Sequence, residues 1–202
     1  NEKGLCMAGL NFPGNAYYQK PEGQGMELAS FEIIAWILGN YSTVAEVKND
    51  LEKMKIVDIA FSEKMPPAPL HWMLADREQC LVLEAVQEGL KIYENPFGVL
   101  TNNPPFEYHR LNMNNYMNLS AKSPENRFCD KLSLKPYAQG MGAAGLPGDA
   151  SSASRFVRAA FLKWNSVSPQ DEKSNVSQFF HILDGVSMVR GTVITEAGTY
   201  DI

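Results

Sequence analysis

The stretch Leu70–Leu100 decides the fold of this chain and reads LHWMLADREQCLVLEAVQEGLKIYENPFGVL. It contains four short apolar segments, which are Leu70–Ala75, Cys80–Val86, Leu90–Tyr93 and Val99–Leu100. Polar or turn-forming residues separate each segment from the next, a pattern typical of an antiparallel meander. The stretch therefore predicts a sheet of strands that pair in chain order.

One strand and two helices are predicted before the meander. Gly4–Leu10 is a short apolar run, which we expect to be a buried strand. Phe31–Leu38 has apolar residues at helical spacing, with Ser30 as the predicted N-cap. Thr43–Met54 opens with a capping box and carries one apolar stripe, so it predicts a second helix. Ile56–Pro69, which contains three prolines, is predicted to be a loop.

The segments after the meander favour helices. Phe106–Leu119, Ser151–Trp164 and Asn175–Met188 are predicted helices, Ser120–Gly148 is a predicted loop, and a last strand is expected near Gly191. Strands that come in a run, followed by helices in a run, indicate an α+β fold rather than alternating βαβ units.

Composition limits the class of protein. The 202 residues show no internal repeat and no linker between halves of different composition, so we predict one domain over residues 1–202. Eighteen Lys and Arg against 23 Asp and Glu give a net charge of −5, and no basic block is present. We therefore predict no nucleic-acid partner. The longest strongly apolar run, Phe31–Leu38, is far too short for a membrane span, so no membrane association is predicted.

The two ends of the sequence resemble those of a piece cut from a longer chain. It opens on Asn1-Glu-Lys-Gly without an initiator Met and closes on Thr199-Tyr-Asp-Ile, as if within an extended segment. We expect an internal fragment.

Histidine is the first residue type to consider for acid–base chemistry, and the chain has His71, His109 and His181. His71 follows Leu70 in a predicted strand and His181 follows two phenylalanines in a predicted helix, so we interpret both as structural. The sequence contains no GxSxG, HExxH or P-loop motif, which leaves the common hydrolase and nucleotide-binding sites without support.

The three cysteines, Cys6, Cys80 and Cys129, form no CxxC pair and have no histidine at ligand spacing. They predict neither a disulfide framework nor a metal site, and no cofactor is expected. Cys6 lies within an apolar strand, where a thiol behaves as a small hydrophobe, so we interpret it as a core residue rather than a reactive one.

Three polar residues lie where apolar elements begin or end. Asn11 follows the first predicted strand, Asn102 follows Val99-Leu-Thr, and Arg155 lies in the first turn of a predicted helix. A side-chain amide can donate to a developing oxyanion, and an Arg beside a core face can hold charge in a pocket. On the residues alone, a turn Asn and a surface Arg are equally good interpretations.

Five blocks of the sequence, in order over nearly the whole chain, resemble the choloylglycine hydrolase family, which comprises bile salt hydrolases and penicillin V acylases of the N-terminal nucleophile superfamily. The blocks are NEKGLCMAGLNFPG (Asn1–Gly14), LHWML (Leu70–Leu74), NPFGVLTNNPPF (Asn95–Phe106), GLPGDASSASRFVRAAF (Gly145–Phe161) and QFFHIL (Gln178–Leu183).

The resemblance implies an αββα sandwich that is incomplete at both ends. In this family a mature N-terminal cysteine is the nucleophile through its thiol and the base through its α-amino group. That cysteine belongs upstream of the segment matching Asn1, and none of the three cysteines present matches it. The strands that complete the sandwich would follow Ile202.

The resemblance also assigns roles to five residues. Asn11 matches the position that gives a backbone N–H to the oxyanion hole, and Asn102 matches the one that gives a side-chain amide to the same oxygen. Arg155 matches the family's active-site arginine. Phe61 and Met65, which are unusually apolar for a loop, match positions that line the apolar pocket for the sterol.

These matches predict a bile salt hydrolase that cleaves glycine- or taurine-conjugated bile acids, because bile-salt-selective members tend to have Asn at the position of Asn11 and penicillin-selective members Tyr. Penicillin V acylase is the alternative, and an inactive fragment that only binds acyl ligands is a third reading. The resemblance further implies a homotetramer when full length, partly through residues 107–135, and a bacterial cytoplasmic location.

Overall fold

A computed structural model of the chain describes residues 1–168, 170–195 and 198–199. The chain divides into two compact units, Asn1–Tyr108 and His109–Ile202. The prediction of one domain over residues 1–202 is not tested by this division and stays a prediction.

The first unit is built on an antiparallel sheet with a helical layer. Its strands and helices, in chain order, are β1 (Cys6–Asn11), β2 (Met26–Ala29), α1 (Ile33–Asn40), α2 (Val44–Leu51), β3 (Met54–Val57), β4 (Leu70–Ala75), β5 (Cys80–Val86) and β6 (Gly89–Glu94). The strand order β1-β4-β5-β6 forms one antiparallel sheet, and β2 pairs with β3 in a small parallel sheet.

The predicted meander is confirmed for three of its four strands. Val99–Leu100 is buried but forms no strand, so that prediction was wrong. The reason lies in Asn95, whose side-chain amide donates to the Val99 carbonyl at 2.9 Å while its Oδ1 accepts from the backbone N–H groups of Phe97 and Gly98. These bonds close a turn and use groups that a strand would need for its ladder.

The first strand is confirmed in position but not in burial. β1 lies at the edge of the sheet and most of its residues are exposed, including Cys6. The interpretation of Cys6 as a core residue was therefore wrong, because an edge strand has a neighbour on one side only.

The two predicted helices form, with shifted ends. α1 begins at Ile33 and Glu32 occupies its N-cap, so Ser30 is buried rather than capping. The capping box of α2 is confirmed, since the Thr43 hydroxyl accepts from the Glu46 N–H at 3.2 Å. Met54 lies beyond that helix and starts β3.

β2 and β3 were not predicted. The start of Ile56–Pro69 belongs to β3 rather than to a loop, because its residues pair with β2. Each of these strands has only four residues, too few to show a period in the sequence.

The core of the first unit lies between the helical layer and one face of the main sheet. Its fully buried members from the helices and the sheet are Ile33, Ile37, Val44, Val47, Leu51, Trp72, Leu74, Leu81 and Leu83. The helical layer and the main sheet correspond to one α layer and one β layer of the predicted αββα sandwich. The α+β class is confirmed.

The second unit is mainly helical. Its longer helices are α4 (Ser152–Asn165) and α5 (Glu172–Asp184), and β7 (Ile194–Thr195) pairs with β8 (Gly198–Thr199). α3 (Phe106–Asn112) crosses the boundary between the units in sequence and is shorter than predicted, because the chain continues as a 3₁₀ turn over Met113–Tyr116. Within the described part of the chain, no helix is long and apolar enough to cross a membrane.

Candidate active site

The end of β1 directs the backbone of Asn11 away from the sheet. Phe12 donates its N–H to the Pro69 carbonyl at 2.7 Å, and Asn11 lies opposite Leu70. Because residues of an antiparallel strand alternate between bonding their partner strand and pointing away from it, the N–H and C=O of Asn11 face the open edge of β1. This edge has no neighbouring strand in the four-stranded sheet.

Asn102 reaches the same edge from the loop that follows β6. Its side-chain nitrogen donates to the Asn11 carbonyl at 2.8 Å. The next residue, Asn103, donates in the same way to the Pro13 carbonyl at 2.6 Å. The structure thus brings together the two residues that the family resemblance assigns to one oxyanion, and the Asn11 N–H points to the side on which the Asn102 amide lies.

A buried pair that was not predicted to take part in the site holds this loop. His71 is fully buried, and its Nε2 lies 2.8 Å from the carbonyl of Thr101, the residue before Asn102. Its Nδ1 lies 3.1 Å from Oε1 of the fully buried Glu84. A carbonyl oxygen only accepts, so Nε2 carries a hydrogen. The structural interpretation of His71 is confirmed. The feature of the sequence that could have indicated its partner is Glu84, a charged residue inside the apolar segment Cys80–Val86.

The two predicted pocket residues lie together on one exposed turn. Phe61 donates its N–H to the Met65 carbonyl at 3.1 Å, and their side chains are 64% and 57% exposed. The ring of Phe31 contacts that of Phe61 edge to face, with centroids 5.1 Å apart. Three large apolar side chains are therefore presented to solvent at one place rather than packed in the core. Phe31 was not predicted to belong to this exposed group, because its helical spacing indicated only that it lies on the apolar face of a helix.

Arg155 lies in the first turn of α4, which the Ser151 side chain caps. Its Nε donates to the Ala150 carbonyl at 3.1 Å and the side chain is half-buried. Burial first, and repulsion from Arg158 second, lower the pKa of the Arg155 guanidinium. An arginine still keeps its charge at neutral pH. Arg155 is therefore a positive charge held at the start of a helix.

Arg158, one turn further along α4, differs in its contacts. Its guanidinium donates to the carbonyls of Pro147, Asp149 and Gly185 at 2.7 to 2.9 Å. These bonds tie the segment before α4 to the end of α5, so Arg158 acts as a structural clamp.

Asp149 organises the start of α4. Its carboxylate accepts from the Ser151 N–H at 2.9 Å and from the Ser154 hydroxyl. Hydrogen bonds from these two serines hold the pKa of Asp149 far below its usual range. The segment that carries Arg155 is thus fixed by an anionic side chain.

Cys6 does not lie beside Asn11, although both residues belong to β1. Cys6 begins β1 and Asn11 ends it, which separates them by roughly 17 Å of extended chain. None of Cys6, Cys80 and Cys129 forms a disulfide with another described cysteine. Among the residues that the structure describes, no three His, Cys, Asp or Glu side chains cluster closely enough to hold a metal.

Comparison with known proteins gives one family. The model of the linear amide C–N hydrolases, choloylglycine hydrolase family, matches residues 1–202. A bile salt hydrolase/transferase of Lactiplantibacillus plantarum is 53% identical over 201 residues, covering 100% of this chain and 62% of that protein. A bile salt hydrolase/transferase of Clostridium perfringens is 42% identical over 198 residues, covering 96% and 60%. The chain therefore spans about three fifths of the length of these relatives.

Solved structures give the same fold. A variant of the conjugated bile acid hydrolase from Clostridium perfringens matches with a TM-score of 0.87 and 41% identity, over 100% of this chain and 62% of that one. The penicillin V acylase from Agrobacterium tumefaciens matches with a TM-score of 0.75 and 22% identity, over 100% and 56%. At that lower identity the second match concerns the fold alone.

Proposed function

This chain belongs to the choloylglycine hydrolase family of linear amide C–N hydrolases, and from that premise we propose that the whole protein is a bile salt hydrolase. It would cleave the amide that joins a bile acid to glycine or taurine. The observation that carries the proposal is the 53% identity with a bile salt hydrolase/transferase along this entire chain.

The chemistry follows from a thiolate and two hydrogen-bond donors. The thiolate comes from an N-terminal cysteine on a segment that precedes Asn1, and it attacks the amide carbonyl carbon to give a tetrahedral oxyanion. The Asn11 N–H and the Asn102 side-chain amide donate to that oxygen. The C–N bond then breaks, the amine leaves with a proton, and water hydrolyses the thioester to free the bile acid and restore the thiol.

The contact between Asn102 and Asn11 supports the role of these two donors. The nitrogen of an asparagine side chain carries two hydrogens, and the bond to the Asn11 carbonyl directs one of them. This bond fixes the orientation of the whole amide group. Donors held in place before reaction stabilise a developing charge without reorganisation, which is the main source of catalysis by such sites.

The turn carrying Phe61 and Met65 would supply the apolar wall for the steroid rings. Its exposure supports this role, because a hydrophobic ligand gains from covering large apolar side chains. Arg155 would stabilise negative charge on the substrate or on the intermediates, as a half-buried cation can.

Penicillin V acylase is the second candidate, because the family that the sequence resembles comprises both kinds of enzyme. Its chemistry would use the same nucleophile and donors on a different acyl group. A third candidate is a non-catalytic piece that binds apolar acyl ligands only, for which the exposed turn is the supporting feature.

We also propose a homotetramer for the whole protein and action in the bacterial cytoplasm. Exposed apolar side chains within residues 107–135 support an association surface. They are Tyr108, Leu111, Met117, Phe128, Leu132 and Leu134. The lack of a disulfide among Cys6, Cys80 and Cys129 supports a reducing compartment.

The test uses the whole protein, defined here as this chain preceded by the N-terminal cysteine segment that the proposal requires. Amine release is measured from glycocholate, taurocholate and penicillin V, with a variant whose N-terminal cysteine is replaced by alanine as the control. Hydrolysis of a conjugated bile acid that is lost in the control supports the proposal. Faster turnover of penicillin V selects the second candidate, and hydrolysis of neither selects the third.

A further inference from the structure

We propose that His71 and Glu84 form a buried positioning pair that holds the Asn102 amide in its catalytic orientation. This inference rests on the proposed function, since it concerns how the oxyanion donors of that reaction are fixed. Neither residue touches the substrate in this proposal, and both act through the loop.

The pair lies where it can hold both ends of one short loop. The Thr101 carbonyl bonds His71 Nε2 at 2.8 Å, and the Phe106 N–H donates to Glu84 Oε1 at 2.9 Å. The segment between these two points carries Asn102. Fixing both ends of so short a segment leaves its side chains few alternative positions.

The same histidine also contacts the other donor strand. The ring of Phe12, the residue after Asn11, stacks on the His71 imidazole with centroids 4.3 Å apart and planes inclined by 6°. His71 thus contacts one residue beside Asn11 and one beside Asn102. A single side chain sets the relative position of the two donors.

Stability alone does not explain a pair of this kind. Replacing buried ionisable pairs by apolar residues of similar volume is often neutral or stabilising. The arrangement here is less favourable still, because Glu84 Oε2 is buried with no hydrogen-bond partner among the described residues. What the pair provides is the defined position of the Thr101 carbonyl and the Phe106 N–H.

The test compares two double variants of the whole protein. His71→Phe with Glu84→Gln keeps an aromatic ring against Phe12 and an acceptor for Phe106, but it removes the donor to Thr101. His71→Gln with Glu84→Gln restores a donor near the position of Nε2. Leu83→Ala is the stability control, because this buried neighbour of Glu84 on β5 points to the opposite face of the sheet.

We expect the His71→Phe double variant to lower kcat at least tenfold with KM within twofold of the parent, measured well below the melting temperature. The His71→Gln double variant should recover at least half of that loss on a logarithmic scale. Leu83→Ala should lower the melting temperature and leave kcat per folded molecule unchanged. Equal impairment of the two double variants, or unchanged kcat in both, would overturn the proposal.

A double-mutant cycle separates positioning from a general defect. In an Asn102→Ala background, adding His71→Phe and Glu84→Gln should lower kcat by less than a further twofold. The side chain that the pair positions is already absent there. A full tenfold loss in that background would contradict the proposal.

Two further readouts keep the test independent of substrate and of folding yield. The cycle can be run on whichever amide the parent cleaves, so a preference for penicillin V would refute the bile salt assignment without affecting this inference. Hydrogen–deuterium exchange of the peptide covering residues 101–106 needs no activity. Faster exchange there in the His71→Phe double variant, but not in Leu83→Ala, is expected, and equal exchange in the parent and that double variant would overturn the proposal.

Discussion

The side chain of Asn102 donates a 2.8 Å hydrogen bond to the main-chain carbonyl of Asn11, a residue 91 positions earlier in the chain. The bond joins the loop after β6 to the open edge of β1. It also aligns two groups of different kinds, a side-chain amide and a backbone N–H, toward one region of space. This contact makes the pair a candidate oxyanion hole rather than two separate turn residues.

Removing the Asn102 amide should therefore affect the transition state. In the whole protein, Asn102→Ala is expected to lower kcat about 100-fold, about 2.7 kcal/mol, the usual cost of losing one oxyanion donor. The matched control is Asn103→Ala, which loses the bond to the Pro13 carbonyl and carries no proposed oxyanion contact. Steady-state kinetics on glycocholate measure both, and an equal loss in both variants would indicate a loop defect instead.

The sheet and the position of the donors could be predicted from local patterns. β4, β5 and β6 are apolar runs separated by polar links, and the polar residue that follows such a run tends to lie at a strand end. Asn11 follows the first apolar run, so its place at a strand end could be predicted. The bond to Asn102 could not be predicted from the residues alone, because it depends on the turn that Asn95 closes and on the order of strands in the sheet.

The parts that sequence patterns missed depend on burial and tertiary contacts. β2 and β3 are too short to show a period, and Cys6 was misplaced because a run of apolar residues does not reveal an edge strand. His71 could be recognised as structural. Its function toward Thr101 could not, because a partner 30 residues away leaves no local pattern.

Alanine variants of Arg155 and Arg158 should differ in their effects, the first lowering activity and the second lowering stability. Arg155→Ala in the whole protein is expected to lower kcat/KM by about 2 kcal/mol in transition-state terms, with little change in melting temperature. Arg158→Ala is expected to lower the melting temperature, because it removes the bonds to three carbonyls, and to cost about 1–3 kcal/mol of folding free energy. Near-parental activity in Arg155→Ala, with loss in Arg158→Ala beyond its stability effect, would show that the roles were assigned in the wrong order.

Acid sensitivity should depend on Asp149. Its pKa is lowered by bonds from Ser151 and Ser154, so its contribution to stability is present above the unfolded pKa of 3.8 and is lost as the pH falls below that value. Asp149→Asn should therefore be less stable than the parent near pH 6 and should approach it as the pH falls from about 4 toward 2. Urea unfolding at several pH values measures this. The exposed Asp130→Asn is the charge-matched control, and a constant difference between Asp149→Asn and the parent at all pH values would contradict the assignment.

The 202-residue chain by itself should hydrolyse nothing. The family resemblance assigns the nucleophile to none of its three cysteines, so the oxyanion donors, Arg155 and the apolar turn would be present without a nucleophile. Amine release from glycocholate is the measurement, with the whole protein as the positive control. We also expect poor stability, because β1 is an open edge strand with mostly exposed residues. Amine release above a blank lacking protein would contradict the first part.

Substrate choice should depend on the side chain of Asn11 rather than on its backbone. Asn11 is exposed at the end of β1, while Phe61 and Met65 present an apolar wall on their own turn. The whole protein should prefer conjugated cholate over penicillin V by at least tenfold in kcat/KM, equivalent to about 1.4 kcal/mol of differential transition-state binding.

Asn11→Tyr keeps the backbone N–H and the carbonyl that accepts from Asn102, but it fills space that the steroid would occupy. The ratio of the two specificity constants should therefore fall in Asn11→Tyr, with bile salt turnover losing more than penicillin V turnover. Asn11→Ala controls for loss of the amide alone, since it keeps the space open and should keep the preference. A parent that favours penicillin V would refute the bile salt assignment, and an unchanged ratio in Asn11→Tyr would exclude Asn11 as a determinant of specificity.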